Sequence, residues 1–190
     1  LGTEAEIKYF DDILKTVIPI PGVHMLYNAM AAICIGVYFH MTLEEVDRGI
    51  RKLKAIRGRN HIFIAHGITI IDDCYNANPM SMKASLNVLS KAEGRKVAVL
   101  GDMFELGKNE VELHAQVGEE AAKLGIDFVI CIGKLSKYIA EAAKKGSGYV
   151  LYFTDKEEFM KKIKDYIKEG DTVLIKASNG MKFSTIVTEL

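Results

Sequence analysis

Neither sign of charge is in excess in this sequence: 25 Lys and Arg balance 25 Asp and Glu, for a formal net charge of zero. That argues against broad electrostatic binding to nucleic acid or an anionic membrane, and leaves room only for a local basic pocket. No apolar run approaches the roughly 18 to 20 residues that span a bilayer. The first residues, Leu1-Gly2-Thr3-Glu4, have none of the basic flank, apolar stretch or cleavage site of a signal peptide. They also lack an initiator Met, so a piece of a longer chain is expected. Cys34, Cys74 and Cys131 are widely spaced and form no Cys-x-x-Cys pair. Structural zinc and thioredoxin-like chemistry are thereby disfavoured. Each thiol reads as a reduced core residue, and a reducing cytoplasm is the expected setting.

Several signature loops are missing too. There is no GxxxxGK[ST] phosphate cradle: Gly107-Lys108-Asn109 and Gly133-Lys134-Leu135 lack both the upstream Gly and the Ser or Thr. There is no GxGxxG, so a dinucleotide is not implied, and neither HExxH nor GxSxG occurs. No internal repeat or low-complexity segment is visible.

What is present is a chain of 190 residues, enough for one ordinary domain or for one domain and part of another. Ile13 to Ile20 reads as a strand that stops at Pro21-Gly22. The Ala-rich run Asn28 to Gly36 reads as a buried helix. Thr42 and Glu45 form a capping box in front of an amphipathic helix, Leu43 to Leu53. The basic, aperiodic stretch Lys54 to Asn60 reads as a linker. Beyond it, His61 to Ala65 and Thr69 to Asp73 form a hairpin around His66-Gly67. A helix follows, with Met82, Leu86 and Leu89 on one face. Next come a strand Val97 to Leu100 and a helix with Leu113, Val117, Ala121 and Leu124. Phe128 to Ile132, Leu135 to Ala143, Tyr149 to Phe153 and Glu157 to Ile167 continue the alternation of strand and helix. Thr172 to Ile175 is the last strand, and a helix with Phe183, Ile186 and Val187 follows it. Continuous apolar strands alternating with helices indicate an α/β fold: a Rossmann-like, mostly parallel sheet covered by helices on both faces. Ligands in such sheets gather beyond the carboxyl ends of the strands. Asp72 to Asn78, Gly101-Asp102, Gly133 and Lys176 to Gly180 lie there.

The most informative segment is Asp72-Asp73-Cys74-Tyr75-Asn76-Ala77-Asn78-Pro79. It crowds two acids, two amides and a phenol between a strand and a helix. A loop with a helix N-cap accounts for part of that polarity, and a rigidly held binding site for the rest. The segment resembles the Asp-Asp-Ser-Tyr-Asn-Ala-Asn-Pro stretch of the Mur ligases, with Cys74 where Ser is usual. Pro21-Gly22-Val23-His24, Asn28-Ala29 and Ala31-Ala32 resemble the family's Gly-x-His-Asn-x-x-Asn-Ala helix, with Met25 replacing the first Asn. Gly58-Arg59, Leu100-Gly101-Asp102-Met103-Phe104-Glu105-Leu106-Gly107 with His114, and Lys176-Ala177-Ser178-Asn179-Gly180-Met181 are similar to three further family stretches, in the expected order.

The resemblance implies a three-domain enzyme. Residues 1 to 53 would be the end, mainly helical, of the central ATP-binding domain, 54 to 60 a hinge, and 61 to 190 the C-terminal ligase domain. The implied activity is ATP-dependent amide-bond formation between UDP-N-acetylmuramoyl-tripeptide and D-Ala-D-Ala in peptidoglycan precursor synthesis, with Mg2+ ligands in the part of the central domain outside this chain. The fragment by itself would be inactive. By resemblance, His24, Asn28, Arg59 and Asp73 would bind nucleotide: Asn28 at the adenine, Arg59 at the phosphates as the catalytic cation, and Asp73 at the ribose. Tyr75, Asn76, Asn78, Lys176 and Ser178 would bind substrate, Lys176 and Ser178 through its carboxylate. Asp72 reads as structural, Asp102 and Glu105 as loop-ordering, and His114 as a packing residue. Another Mur-type ligase, folylpolyglutamate synthase and a non-catalytic α/β binding module are the alternatives.

Overall fold

Alternation of charged with apolar residues sets the first element of the computed structural model, which describes residues 2–190. Strand β1, Thr3–Tyr9, pairs antiparallel with β2, Asp12–Ile18, in the register Thr3↔Ile18 to Tyr9↔Asp12. Ile7, Leu14 and Ile18 turn inward, while Glu6 and Lys15 pair outside at 2.7 Å. The expected strand is β2. Its partner β1 was not anticipated, because Glu4, Glu6 and Lys8 leave it little apolar signal. Helices α1, Val23–Tyr38, and α2, Leu43–Ile50, complete this part. Thr42 caps α2, accepting from the Glu45 N–H while the Glu45 carboxylate accepts from the Thr42 N–H. The helix stops at Ile50, short of the expected Leu53. Helix α1 is not the buried helix the sequence led us to expect. Only Ala29, Ile33 and Gly36 are buried, and Tyr27, Met30, Ile35 and Tyr38 are exposed. One stripe at helical spacing meets the small core of Ile7, Leu14, Ile18, Val46 and Ile50.

The chain divides into two compact units, Leu1–Ala55 and Ile56–Leu190. The second is built on a six-stranded sheet. Its elements are β3 His61–Ala65, β4 Ile68–Asp72, α3 Pro79–Ser90, β5 Arg95–Gly101, α4 Glu110–Lys123, β6 Phe128–Ile132, α5 Ser136–Ala143, β7 Tyr149–Phe153, α6 Lys156–Met160, α7 Ile163–Tyr166, β8 Asp171–Lys176 and α8 Ser184–Glu189. The spatial order is β3-β4-β8-β5-β6-β7. Strand β3 runs antiparallel to β4 through a two-residue turn, His66 and Gly67, both at positive φ (48 and 73°). All other pairs are parallel.

Strand β8, late in sequence, lies in the middle of the sheet, and all six of its residues are buried. Alternate residues serve opposite faces. Ile70, Val97, Val99, Ile130, Val173 and Ile175 pack with Phe159, Phe183 and Ile186 of α6 to α8 and the turn before α8. Ile71, Ala98, Leu100, Val129, Cys131 and Leu174 pack with Leu86 of α3, Val117 of α4 and Ile139 of α5. The expected helix Glu157 to Ile167 is two short ones, α6 and α7, because Lys162 leaves the helical region at φ −121°. Among the described residues, no helix is long and apolar enough to cross a membrane.

The cysteines divide by burial. Cys74 and Cys131 are buried in the second unit, in the clusters on opposite faces of its sheet, but Cys34 is exposed on α1, just off its buried stripe. Burial pushes the Cys131 thiol up, and burial with the Asp72 hydrogen bond pushes Cys74 up to about 12. A disulfide reagent at neutral pH should therefore titrate Cys34 alone in the native chain and all three thiols after denaturation. Fast reaction of a second thiol in the native chain would overturn this.

Candidate functional site

Strands β4 and β8 are parallel neighbours, but the chain leaves them in opposite directions. Beyond β4 it enters α3 on one face of the sheet, and beyond β8 it enters α8 on the other. A crevice opens at such a switch point, beyond the carboxyl ends of the strands. The Asp73 N–H donates to the Ile175 carbonyl at 3.1 Å, extending the ladder by one residue and bringing Asp73 beside Lys176.

The two carboxylates at the end of β4, Asp72 and the following Asp73, grip the turn that carries Arg59. Asp72 Oδ2 accepts from the Gly58 N–H at 2.8 Å, and Asp73 Oδ1 accepts from the Asn60 N–H at 2.9 Å. Gly58 has φ 77°, and a Cβ there would stand 3.1 Å from that of Tyr75, so glycine alone suits the position. The Tyr75 N–H donates to the Gly58 carbonyl at 2.9 Å. The Arg59 guanidinium lies over the Tyr75 ring, 4.1 Å from its centroid. The contact is cation–π in kind and leaves guanidinium N–H groups available to an oxyanion. Arg59 is exposed and, among the described residues, makes no ion pair.

Beneath this turn the polar groups are closed off. Asp73 Oδ2 is 2.6 Å from Lys176 Nζ and 2.5 Å from Ser85 Oγ. Lys176 is only 2% exposed, and its ammonium also donates to the Asn76 carbonyl at 3.0 Å and the Asp73 carbonyl at 3.3 Å. Three acceptors use its three N–H groups. Asp72 is structural, as expected: its Oδ1 also accepts from Cys74 Sγ at 3.0 Å. The thiol thus supplies the donor that a serine hydroxyl would.

A family model described as Mur ligase, glutamate ligase domain, matches residues 58–179, the span that runs from this turn to the end of β8 and just beyond. The chain belongs to the Mur ligase family. It is 39% identical to the UDP-N-acetylmuramoyl-tripeptide–D-alanyl-D-alanine ligase of Bacillus subtilis, over all of this chain and 42% of that one. Among solved structures it is similar to MurF of Acinetobacter baumannii, with TM-score 0.87, 27% identity, and coverage of 100% of this chain and 42% of that one. It is also similar to the MurF ligase of Thermotoga maritima in complex with ADP, with TM-score 0.83, 28% identity, and coverage of 99% and 43%. The chain thus spans about two fifths of the length of these Mur ligases.

The remaining expected site residues of this Mur ligase chain fall in three places. Asn76 and Asn78 are exposed in the loop after β4. The Asn76 side chain accepts from the Ala77 N–H, while Asn78 caps α3 by accepting from the Ser81 N–H at 2.8 Å. Ser178 is buried, and its hydroxyl accepts from the Phe104 N–H at 2.8 Å, tying the loop after β8 to the loop after β5. His24 and Asn28 lie on the first turns of α1 in the first unit, with Asn28 exposed and its Nδ2 3.5 Å from Met25 Sδ. Asp102 orders a neighbouring loop rather than its own: its carboxylate accepts from the Lys134, Leu135 and Ser136 N–H groups at 2.7 to 3.0 Å. His114 is fully buried; its Nε2 accepts from the Met103 N–H at 2.9 Å, and its Nδ1 meets the Glu110 carbonyl.

Sequence reading missed Ser85, a polar residue on the buried face of α3 among Met82, Leu86 and Leu89, which is the signal that could have found it. Among the described residues, no group of three or more His, Cys, Asp or Glu side chains could hold a metal ion.

Proposed function

We propose that this chain is part of an ATP-dependent ligase that joins D-Ala-D-Ala to UDP-N-acetylmuramoyl-tripeptide in a reducing cytoplasm. Arg59 carries the reading: an exposed guanidinium, lying over the Tyr75 ring without an ion pair among the described residues, at the switch point of a chain 39% identical to such a ligase. Its open N–H edges fit the phosphates of a nucleotide. ATP, when bound, supplies the phosphoryl group that turns a carboxylate oxygen into a leaving group. The tripeptide carboxylate attacks the γ-phosphorus and ADP leaves. The dipeptide amine then attacks the acyl carbon, phosphate departs with the C–O electrons, and the amine loses its proton. Placement of the two reactants supplies about 7 to 11 kcal/mol, and charge stabilisation much of the rest.

In this proposal Arg59 steadies the phosphates. Asp73 offers Oδ1 to a ribose hydroxyl, and His24 and Asn28 serve the adenine side. Tyr75, Asn76 and Asn78 border the dipeptide. Mg2+ would be held by residues outside those described and would neutralise phosphate charge. Residues 1 to 53 belong to the ATP-binding domain and 61 to 190 to the ligase domain. Residues 54 to 60 link the two, and within that stretch Gly58 and Asn60 are hydrogen-bonded to the end of β4 and the residue after it.

The test is phosphate release by the full-length protein. Release should require both the UDP-linked tripeptide and D-Ala-D-Ala, and Arg59→Ala should lower kcat by about a hundredfold. Release that ignores D-Ala-D-Ala would overturn the substrate assignment.

A further inference from the structure

We infer that Lys176 is a positioning residue: it sets Arg59 through the Asp73 carboxylate and does not itself meet substrate. The inference rests on the ligase reading above for what Arg59 does, but not for how Arg59 is held.

Arg59 is flanked by two backbone N–H groups, those of Gly58 and Asn60, and each donates to a carboxylate at the end of β4. The two carboxylates differ in what anchors them. Asp72 is held by the Cys74 thiol, while Asp73 is held by Lys176 and Ser85 on the oxygen opposite the one that takes the Asn60 N–H. A carboxylate is planar and rigid, so fixing Oδ2 aims Oδ1. Asn60 is buried and sits at φ 49°, a left-handed conformation that asparagine adopts more readily than most residues, and its N–H is fixed there by Asp73 Oδ1. The same ammonium binds the carbonyls of Asp73 and Asn76, on either side of Tyr75. Lys176 therefore fixes both the backbone that follows Arg59 and the loop that presents the ring beneath its guanidinium. A buried ammonium is tolerated when its charge is paired and its protons are satisfied, and both conditions are met from within the fold. An incoming substrate carboxylate would have to displace one of these internal acceptors.

The measurement is amide hydrogen exchange at Gly58 and Asn60 in the 190-residue chain, where each amide serves as control for the other. Lys176→Met should speed exchange at Asn60 about tenfold and leave Gly58, held by Asp72, within about twofold. Ser85→Ala, which keeps the lysine and removes only a hydroxyl, should move Asn60 in the same direction by about threefold. That variant decides the matter if Lys176→Met does not fold. Unchanged Asn60 exchange, or equal acceleration at both amides, overturns the inference.

In the full-length protein, Lys176→Met should lower kcat at least about tenfold with little change in the KM for D-Ala-D-Ala. A raised KM for the dipeptide with kcat held would make Lys176 a substrate ligand and overturn the inference as well. A wild-type protein that fails to ligate would sink the ligase reading and leave the exchange result standing.

Discussion

Gly118→Ala should cost the second unit about 3 kcal/mol and lower its melting temperature by about 10 °C. Alanine is ordinarily the better helix former, by about 1 kcal/mol, so the expected sign is opposite to propensity. The cause is a helix crossing. A Cβ at Gly118 of α4 would lie 2.2 Å from the Ile139 carbonyl, 2.8 Å from the Ala142 Cβ and 3.0 Å from the Ala143 nitrogen of α5. Two of these are backbone atoms, which cannot swing aside. Helix α5 is itself seated on the sheet through Ile139, Ala140 and Ala143, so separating the helices lifts it off its core. Gly49→Ala in α2 is the contrast: nothing lies within 4 Å of its Cβ position, and propensity alone should act there. Thermal unfolding of Gly118→Ala within about 2 °C of the parent would show that the crossing yields more easily than close packing allows.

Asp102→Ala should cost about 4 kcal/mol. The residue is 5% exposed, and its carboxylate accepts from three consecutive N–H groups where the chain enters α5. Those donors belong to the loop and first turn of α5, where no helical carbonyl can take them and where negative charge is favoured. The alanine leaves three donors without acceptors, each worth about 1 to 3 kcal/mol, less what entering water recovers. Asp102→Asn should recover less than half of the loss, since an amide carries no charge and offers one acceptor oxygen. Urea unfolding measures both. A loss below about 1 kcal/mol would mean that water replaces the carboxylate almost fully.

The sheet was legible in sequence because its inner strands are largely buried on both faces and therefore apolar, as Phe128–Ile132 is throughout. Strand β1 was missed although its residues alternate, because Ile7 is its only large aliphatic residue and the only one buried. The break between α6 and α7 was hidden too: neither Gly nor Pro marks it, and Phe159, Ile163 and Ile167 keep their helical spacing across it. At the site, a polar cluster after a strand drew attention to Asp73 and Tyr75. The internal bonds of Lys176 and Asn78 were not legible there: one is sealed by three acceptors, and the other caps α3. The grip of Asp72 and Asp73 on Gly58 and Asn60 could not be read at all, because its donors are backbone groups that every residue but proline carries.

The central place of β8 bears on the order in which the unit can form. Until Asp171–Lys176 has been made, β3–β4 and β5–β6–β7 are two half-sheets, each with a bare edge where β8 will lie. During synthesis, roughly a hundred residues from β4 onward must emerge before the two can be joined. Such long-range pairing raises contact order and slows folding. Each exposed edge is meanwhile a template for another chain. A nascent chain stalled before Asp171 should therefore be the species that chaperones hold, and release should coincide with the arrival of that one strand.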